Sequence, residues 1–175
     1  LAPEKNIDTA FDAFAALRDK HPSARFVLVG GGPAEQRLRE AHPEAVFAGA
    51  RLGADLAAHY ASGDLFLFPS QTETFGNVTL EAMASGLAVV AFDLAAAHEL
   101  IRNAHNGLLA DPRNASSFIS QTLTCAADPE LRRKLSRHAR ETALQQAWPT
   151  LIQELEKHFL TIAREPGGGE NESPT

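Results

Sequence analysis

Two glutamates, Glu73 and Glu81, stand eight positions apart in the segment ETFGNVTLE. The segment follows a predicted strand that ends at Pro69-Ser70, and it runs into a predicted helix that Gly86 closes. Parallel α/β sheets bind ligands at the carboxyl ends of their strands, and the free N–H groups of a helix N-terminus are suited to phosphate. The two carboxylates can therefore contact opposite ends of an elongated ligand made of a sugar, a diphosphate and a ribose.

The turn between the glutamates has residue types that suit such a ligand. Gly76 lets the backbone approach a ligand closely, and Asn77 tolerates turn geometry. The seven histidines are scattered, and no acidic cluster has the spacing of metal ligands. We therefore expect an anion site that uses no metal.

A second glycine-rich turn, at residues 30–32, invites a dinucleotide-binding interpretation. The segment GGGPAE lacks the third glycine at the required spacing, and no acidic residue follows the next strand to bind a ribose. A tight strand-to-helix turn is the better prediction, which disfavours an NAD-binding Rossmann domain.

The elements that must position these residues alternate between strand and helix. The predicted strands are residues 25–29, 46–48, 65–68, 88–92 and 108–110. The predicted helices are residues 7–17, 33–39, 54–61, 78–84, 116–126, 129–146 and 149–163. Asn6 is the expected N-cap of the first helix. This alternation predicts an α/β fold with a doubly wound, Rossmann-like parallel sheet.

The two ends of the chain differ from its middle. Residues 1–6 read as the loop that leaves a strand, so we expect a longer protein with a strand upstream of Leu1. The last eleven residues, EPGGGENESPT, have almost nothing to bury. We therefore predict one ligand-binding domain over residues 1–164, truncated at its N-terminus, and a disordered tail over residues 165–175.

Composition limits the function classes. The chain is 44% hydrophobic, enough for one buried core, and its formal net charge is −6. That charge argues against nucleic acid as a partner, because phosphate backbones need a basic face. The single cysteine, Cys125, suits a reducing cytoplasm, and its helix neighbours predict a core position.

The glutamate pair is embedded in PSQTETFGNVTLEAMASG, which resembles the signature of the family-four (group 1) retaining glycosyltransferases. Six further segments follow the family's order: LAPEKN, FVLVGGGP, VFAGA, SGDLFLFPS, AVVAFD and HEL…NGLLADP. Together these segments cover about residues 1–112. The resemblance implies the C-terminal, donor-binding half of a GT-B fold. It also implies transfer of a hexose from a UDP- or GDP-linked sugar to an acceptor hydroxyl, in glycan, glycolipid or cell-envelope polysaccharide synthesis.

Site residues follow from the resemblance position by position. Glu73 matches the catalytic position and would position the donor sugar, Glu81 would bind the ribose, and Lys5 would neutralise the departing diphosphate. Backbone amides for the sugar and phosphate would come from Phe75, Gly76, Asn77 and Val78. With a lysine and a helix N-terminus stabilising the leaving group, neither a metal nor a cofactor is implied.

Three further residues are candidates by position: Arg51 for base recognition, and His98 and Glu99 near the sugar. An exposed arginine and a structural histidine explain the first two equally well. The chain also departs from the family pattern. Residues 95–97 are alanines where a Gly-Gly loop is usual, and the arginine expected five positions before Lys5 would fall before Leu1.

The partners expected are a nucleotide sugar and an N-terminal acceptor domain of the same protein, without which this chain alone would transfer no sugar. The resemblance leaves open peripheral association of the whole enzyme with the inner face of the membrane. Two alternative functions also remain open: a GT-B-like sugar-nucleotide 2-epimerase and a non-catalytic nucleotide-sugar-binding module.

Overall fold

The computed structural model describes residues 1–72 and 77–146. The chain divides into two units, Leu1–Ala143 and Leu144–Thr175, and the first contains the fold described below. The predicted helix at residues 149–163 and the predicted tail at residues 165–175 lie outside the described residues.

All strand pairs in the described part of the chain are parallel. The strands are β1 (Val27–Val29), β2 (Val46–Gly49), β3 (Leu65–Phe68), β4 (Ala88–Phe92) and β5 (Leu108–Ala110). β1 pairs with β2, and β4 lies between β3 and β5. In the three-stranded sheet Val90 is the partner of both Leu67 and Leu108.

Helices connect successive strands. A short 3-10 turn, Pro3–Lys5, precedes the first of them. The α-helices are α1 (Ile7–Lys20), α2 (Glu35–Ala41), α3 (Gly53–Ala61), α4 (Asn77–Ala84), α5 (Ala95–Leu100), α6 (Ala115–Ala127) and α7 (Pro129–Gln145). Among the helices of the described ranges, none is long and apolar enough to cross a membrane.

Strand β4 is covered on both of its faces. Val90 and Phe92 point to a core that includes Phe118 and Cys125 of α6. Because side chains alternate along a strand, Val89 and Ala91 point the other way, into a core with residues of α4, α5 and α7. This two-sided cover is the doubly wound arrangement that the sequence predicted, and the core position of Cys125 is confirmed.

A smaller core lies beside β1 and β2. Its buried members are Phe11, Leu28 and Leu38. Phe11 stacks on the ring of His42, with 3.6 Å between centroids, and meets Phe26 edge-on at 5.0 Å. Aromatic packing, which contributes beyond area burial alone, therefore holds this part together.

Local details differ from the sequence-based prediction. Asn6 is the N-cap residue of α1 as expected, but its backbone is left-handed (φ 50°) and its side chain makes no capping hydrogen bond. Asn6 instead uses its carbonyl, which accepts from the Thr9 amide at 3.1 Å. Helix α5 was not predicted, because six residues are too few to show a helical period.

Candidate functional site

Residues 1–5 lie across the carboxyl ends of two strands. The carbonyl of Leu1 accepts from the Ala34 amide at 3.1 Å, in the loop that follows β1. The carbonyl of Glu4 accepts from the Gln71 amide at 3.0 Å, in the loop that follows β3. This segment therefore links the two loops at the edge of the sheets where α/β proteins bind ligands.

Lys5 is placed by the same contacts. The turn that carries it is joined to the end of β3 through Glu4, and the Lys5 ammonium lies 5.4 Å from the centroid of the Phe68 ring. The hydroxyl of Ser70 donates to the carbonyl of Thr72 at 2.9 Å, which shapes the start of the next loop. Lys5 thus stands at the carboxyl end of β3, in the loop region that leads toward α4.

Helix α4 begins at Asn77, one residue earlier than predicted and within the expected turn. Asn77 is exposed and Val78 is half-buried. Ala82 and Met83 are fully buried against the sheet, which fixes the helix, and Gly86 ends it with a positive φ of 77°. Three predicted site residues, Glu73, Phe75 and Gly76, lie outside the described residues.

Glu81 is exposed on the second turn of α4 and faces α3. The hydroxyl of Tyr60, near the end of α3, donates a hydrogen bond to its Oε2 at 3.1 Å. Burial of the phenol, and then the nearby Glu81 carboxylate, raise the pKa of Tyr60 well above its usual range. Tyr60 is therefore a stable proton donor to Glu81.

Arg51 follows β2 and forms an ion pair with Asp55 of α3. Its guanidinium donates to Asp55 Oδ2 at 3.1 Å, and both side chains are largely exposed. Asp55 lies in the first turn of α3, where its negative charge also interacts favourably with the positive end of the helix dipole.

His98 lies on α5 and its ring bonds to Asp93, the first residue after β4. Its Nδ1 is 2.6 Å from Asp93 Oδ1. That hydrogen bond, and then the charge of Asp93, raise the pKa of His98. Glu99 is exposed beside it. The loop enters α5 through Ala95 at φ 47°, a conformation that favours glycine, at the position where the resemblance leads one to expect Gly-Gly.

Within residues 1–72 and 77–146, no group of three or more His, Cys, Asp or Glu side chains could hold a metal ion. The charged groups that these contacts place at the carboxyl edge are Lys5 and His98 paired with Asp93. The exposed Glu81 lies one turn into α4, beside Tyr60.

The profile of the family "Glycosyl transferases group 1" matches residues 1–128. This chain belongs to that family. A GDP-mannose-dependent alpha-mannosyltransferase of Mycobacterium tuberculosis is 37% identical over 164 residues, which are 93% of this chain and 41% of that protein. The chain thus spans about two fifths of the length of this curated relative.

Solved structures of similar proteins have the same fold. The Anabaena protein Alr3699/HepE, crystallised with UDP and glucose, has a TM-score of 0.75 and 27% identity, over 92% of this chain and 46% of its own. The C-terminal domain of LpcC, a group 1 glycosyl transferase of Francisella tularensis, has a TM-score of 0.72 and 24% identity, over 83% of this chain and 80% of that domain. The predicted family and the predicted fold, the C-terminal half of a GT-B glycosyltransferase, are both confirmed.

For this group 1 glycosyltransferase domain, the structure brings several predicted residues to one edge. The turn that carries Lys5 bonds to the loop after β3, and α4 is the next helix along the chain. His98 lies on the helix that follows β4, in the same three-stranded sheet. Sequence analysis did not anticipate which side chains contact the candidate residues, among them Tyr60 and Asp93. Tyr60 lies 21 positions from its partner, and no sequence spacing marks such a contact. Asp93 lies five positions from His98, just after a strand, which was a usable signal.

Proposed function

We propose that this chain is the donor-binding domain of a retaining glycosyltransferase that takes a hexose from a nucleoside diphosphate sugar. The anomeric carbon's bond to the diphosphate breaks, a bond to an acceptor oxygen forms, and the acceptor's proton passes to the departing diphosphate. The acceptor domain belongs to another part of the same protein. Acceptors are hydroxyls of a glycan, glycolipid or cell-envelope polysaccharide.

The observation that carries this proposal is the attachment of the Lys5 turn to the end of β3. The turn that carries Lys5 bonds to Ser70 and Gln71, which follow β3 and precede α4 in the chain. The N-terminus of α4 carries partial positive charge. An ammonium and a helix N-terminus together stabilise the charge that develops on a departing diphosphate. This pairing supports a donor site that needs no metal ion or cofactor.

The two glutamates give the site its direction. Glu81 is one turn into α4, and we assign it to the ribose hydroxyls. Glu73 precedes the helix in sequence, and we assign it to the sugar, with the amides of residues 75–78 between them. Arg51, His98 and Glu99 remain candidate contacts, to the base for the first and to the sugar for the other two.

The donor to test first is GDP-mannose, because the Mycobacterium tuberculosis relative carries that donor in its name. UDP-glucose is the second, because the Anabaena structure contains UDP and glucose. We further propose that the whole enzyme works in the cytoplasm, at the inner face of the membrane when its acceptor is a lipid.

Calorimetric titration tests this function. The chain should bind GDP or UDP, and their sugars, equally well with and without EDTA. Glu81→Ala should weaken binding about tenfold or more, since hydrogen bonds to a charged group contribute roughly 1.5–3 kcal/mol. Thermal stability should change little, because Glu81 is exposed.

The matched control is Glu40→Ala, which removes another exposed helix carboxylate with one side-chain hydrogen-bond partner, Gln36. It should bind nucleotide as the unaltered chain does. The proposal is wrong if no nucleoside diphosphate binds, if EDTA abolishes binding that Mg²⁺ restores, or if Glu81→Ala binds normally.

A further inference from the structure

The hydrogen bond between Tyr60 and Glu81 joins α3 to the exposed carboxylate of α4. The phenol ring is half-buried and meets Phe66 of β3 edge-on, with 5.8 Å between centroids. It also packs against the core that contains Met83 of α4. A ring held by the sheet and by two helices has little freedom, so its hydroxyl is a fixed point beside Glu81.

The direction of this bond is also fixed. A phenol that keeps its proton can only donate to a carboxylate. The contact uses Oε2 of Glu81. Oε1 and the remaining lone pair of Oε2 stay available to accept from other donors, and an exposed carboxylate without such a contact would sample several rotamers.

We propose that Tyr60 is a positioning residue that orients the Glu81 carboxylate for two neighbouring ribose hydroxyls. This inference rests on the proposed function, in which Glu81 binds the ribose. Orientation matters because each side-chain rotamer that must be frozen on binding lowers the affinity. Tyr60 freezes the Glu81 rotamer before the ligand arrives, without touching the ligand itself.

The test compares GDP with 2′,3′-dideoxy-GDP, and UDP with its dideoxy analogue, by calorimetry on the full chain. Tyr60→Phe keeps the ring and removes only the hydroxyl. It should weaken binding of the ribonucleotide about three- to tenfold and leave the affinity for the dideoxy analogue unchanged. The double variant Tyr60→Phe/Glu81→Ala should bind no more weakly than Glu81→Ala alone.

A merely structural tie between α3 and α4 would give a different pattern. It would lower the melting temperature and weaken both nucleotides equally, and that result overturns the inference. The inference is also wrong if Tyr60→Phe binds the ribonucleotide with unchanged affinity while Glu81→Ala binds it more weakly. If Glu81→Ala itself changes neither affinity, the ribose assignment in the proposed function falls, and the role of Tyr60 falls with it.

Discussion

The two groups of strands differ in how far they are buried. Every residue of β4 is buried, and helices cover both of its faces. In the other group Val27 and Val46 are register partners, yet 48% and 50% of their surfaces are exposed. β4 is a central strand with a neighbour on each side, whereas β1 and β2 have only each other in the described residues.

A sheet that is packed on both faces is the better support for a precisely positioned site. Groups at the carboxyl edge of the three-stranded sheet rest on a core packed from both sides, and α4, Ser70 and Asp93 are all attached there. The β1–β2 pair depends on a smaller aromatic core on one side. We expect residues at the edge of the three-stranded sheet to hold the donor diphosphate and sugar. The β1–β2 pair supports the loop that Leu1 contacts.

Among the variants considered, Phe118→Ala should destabilise the fold most, and it tests the difference in burial between the two groups of strands. Phe118→Ala empties a fully buried site beside Phe92 and should lower the free energy of unfolding by about 3–5 kcal/mol. Phe47→Ala, the matched change on the half-exposed β2, should cost less than about 2 kcal/mol. Urea denaturation measures both. Equal costs would show that the two groups contribute equally.

A smaller effect concerns the polar contacts that attach the loop before β5 to α7. The buried Asn106 donates to the Leu100 carbonyl at 3.1 Å and to Thr142 Oγ1 at 3.0 Å, and it accepts from the Arg102 amide at 2.7 Å. Asn106→Ala leaves buried partners unsatisfied and should cost about 1–2 kcal/mol.

Asn103→Ala is the control for this variant. Asn103 also bonds to the backbone, at Leu109, but it is exposed, so water can replace the lost contact. Its cost in urea denaturation should be below that of Asn106→Ala. The reverse order would mean that burial does not set the strength of these contacts.

The smallest effect is a pH dependence with opposite signs at two histidines. The hydrogen bond to Asp93 raises the pKa of His98, whereas desolvation, and then the charge of the stacked His138, lower the pKa of His105. The contact between His98 and Asp93 therefore contributes its full stabilisation below about pH 6.5. This stabilisation is lost as the pH rises through the raised pKa of His98. Neutral His105 contributes its full stabilisation above about pH 6.5. This stabilisation is lost as the pH falls through the lowered pKa of His105.

Titration followed by NMR should place the two imidazoles on opposite sides of about pH 6.5. Asp93→Asn should bring the pKa of His98 down toward that value and leave His105 unchanged. If both histidines titrate together in the unaltered chain, the Asp93 contact does not form in solution.

Much of the fold could be predicted from local patterns. Strands β3, β4 and β5 were predicted with their observed bounds, because continuous apolar runs between turn residues mark buried parallel strands. Helix α4 was predicted to within one residue, since Gly86 marks its end. β1 is two residues shorter than expected, because an apolar run does not show where strand pairing begins. The Phe26 carbonyl, just before β1, accepts from the Val46 amide at 2.9 Å.

Local patterns pointed to candidate residues only where a turn leads directly into a helix, as at Gly76-Asn77. Their roles stay predictions. The family, the order of elements and the separation of Glu73 from Glu81 can be read from the sequence, because they depend on neighbours along the chain. The attachment of the Lys5 turn at the end of β3, and the hydrogen bond from Tyr60 to Glu81, are visible only in the folded chain. Both contacts join segments far apart in the chain, and their geometry depends on how helices pack on the sheet, which no local pattern of residues specifies.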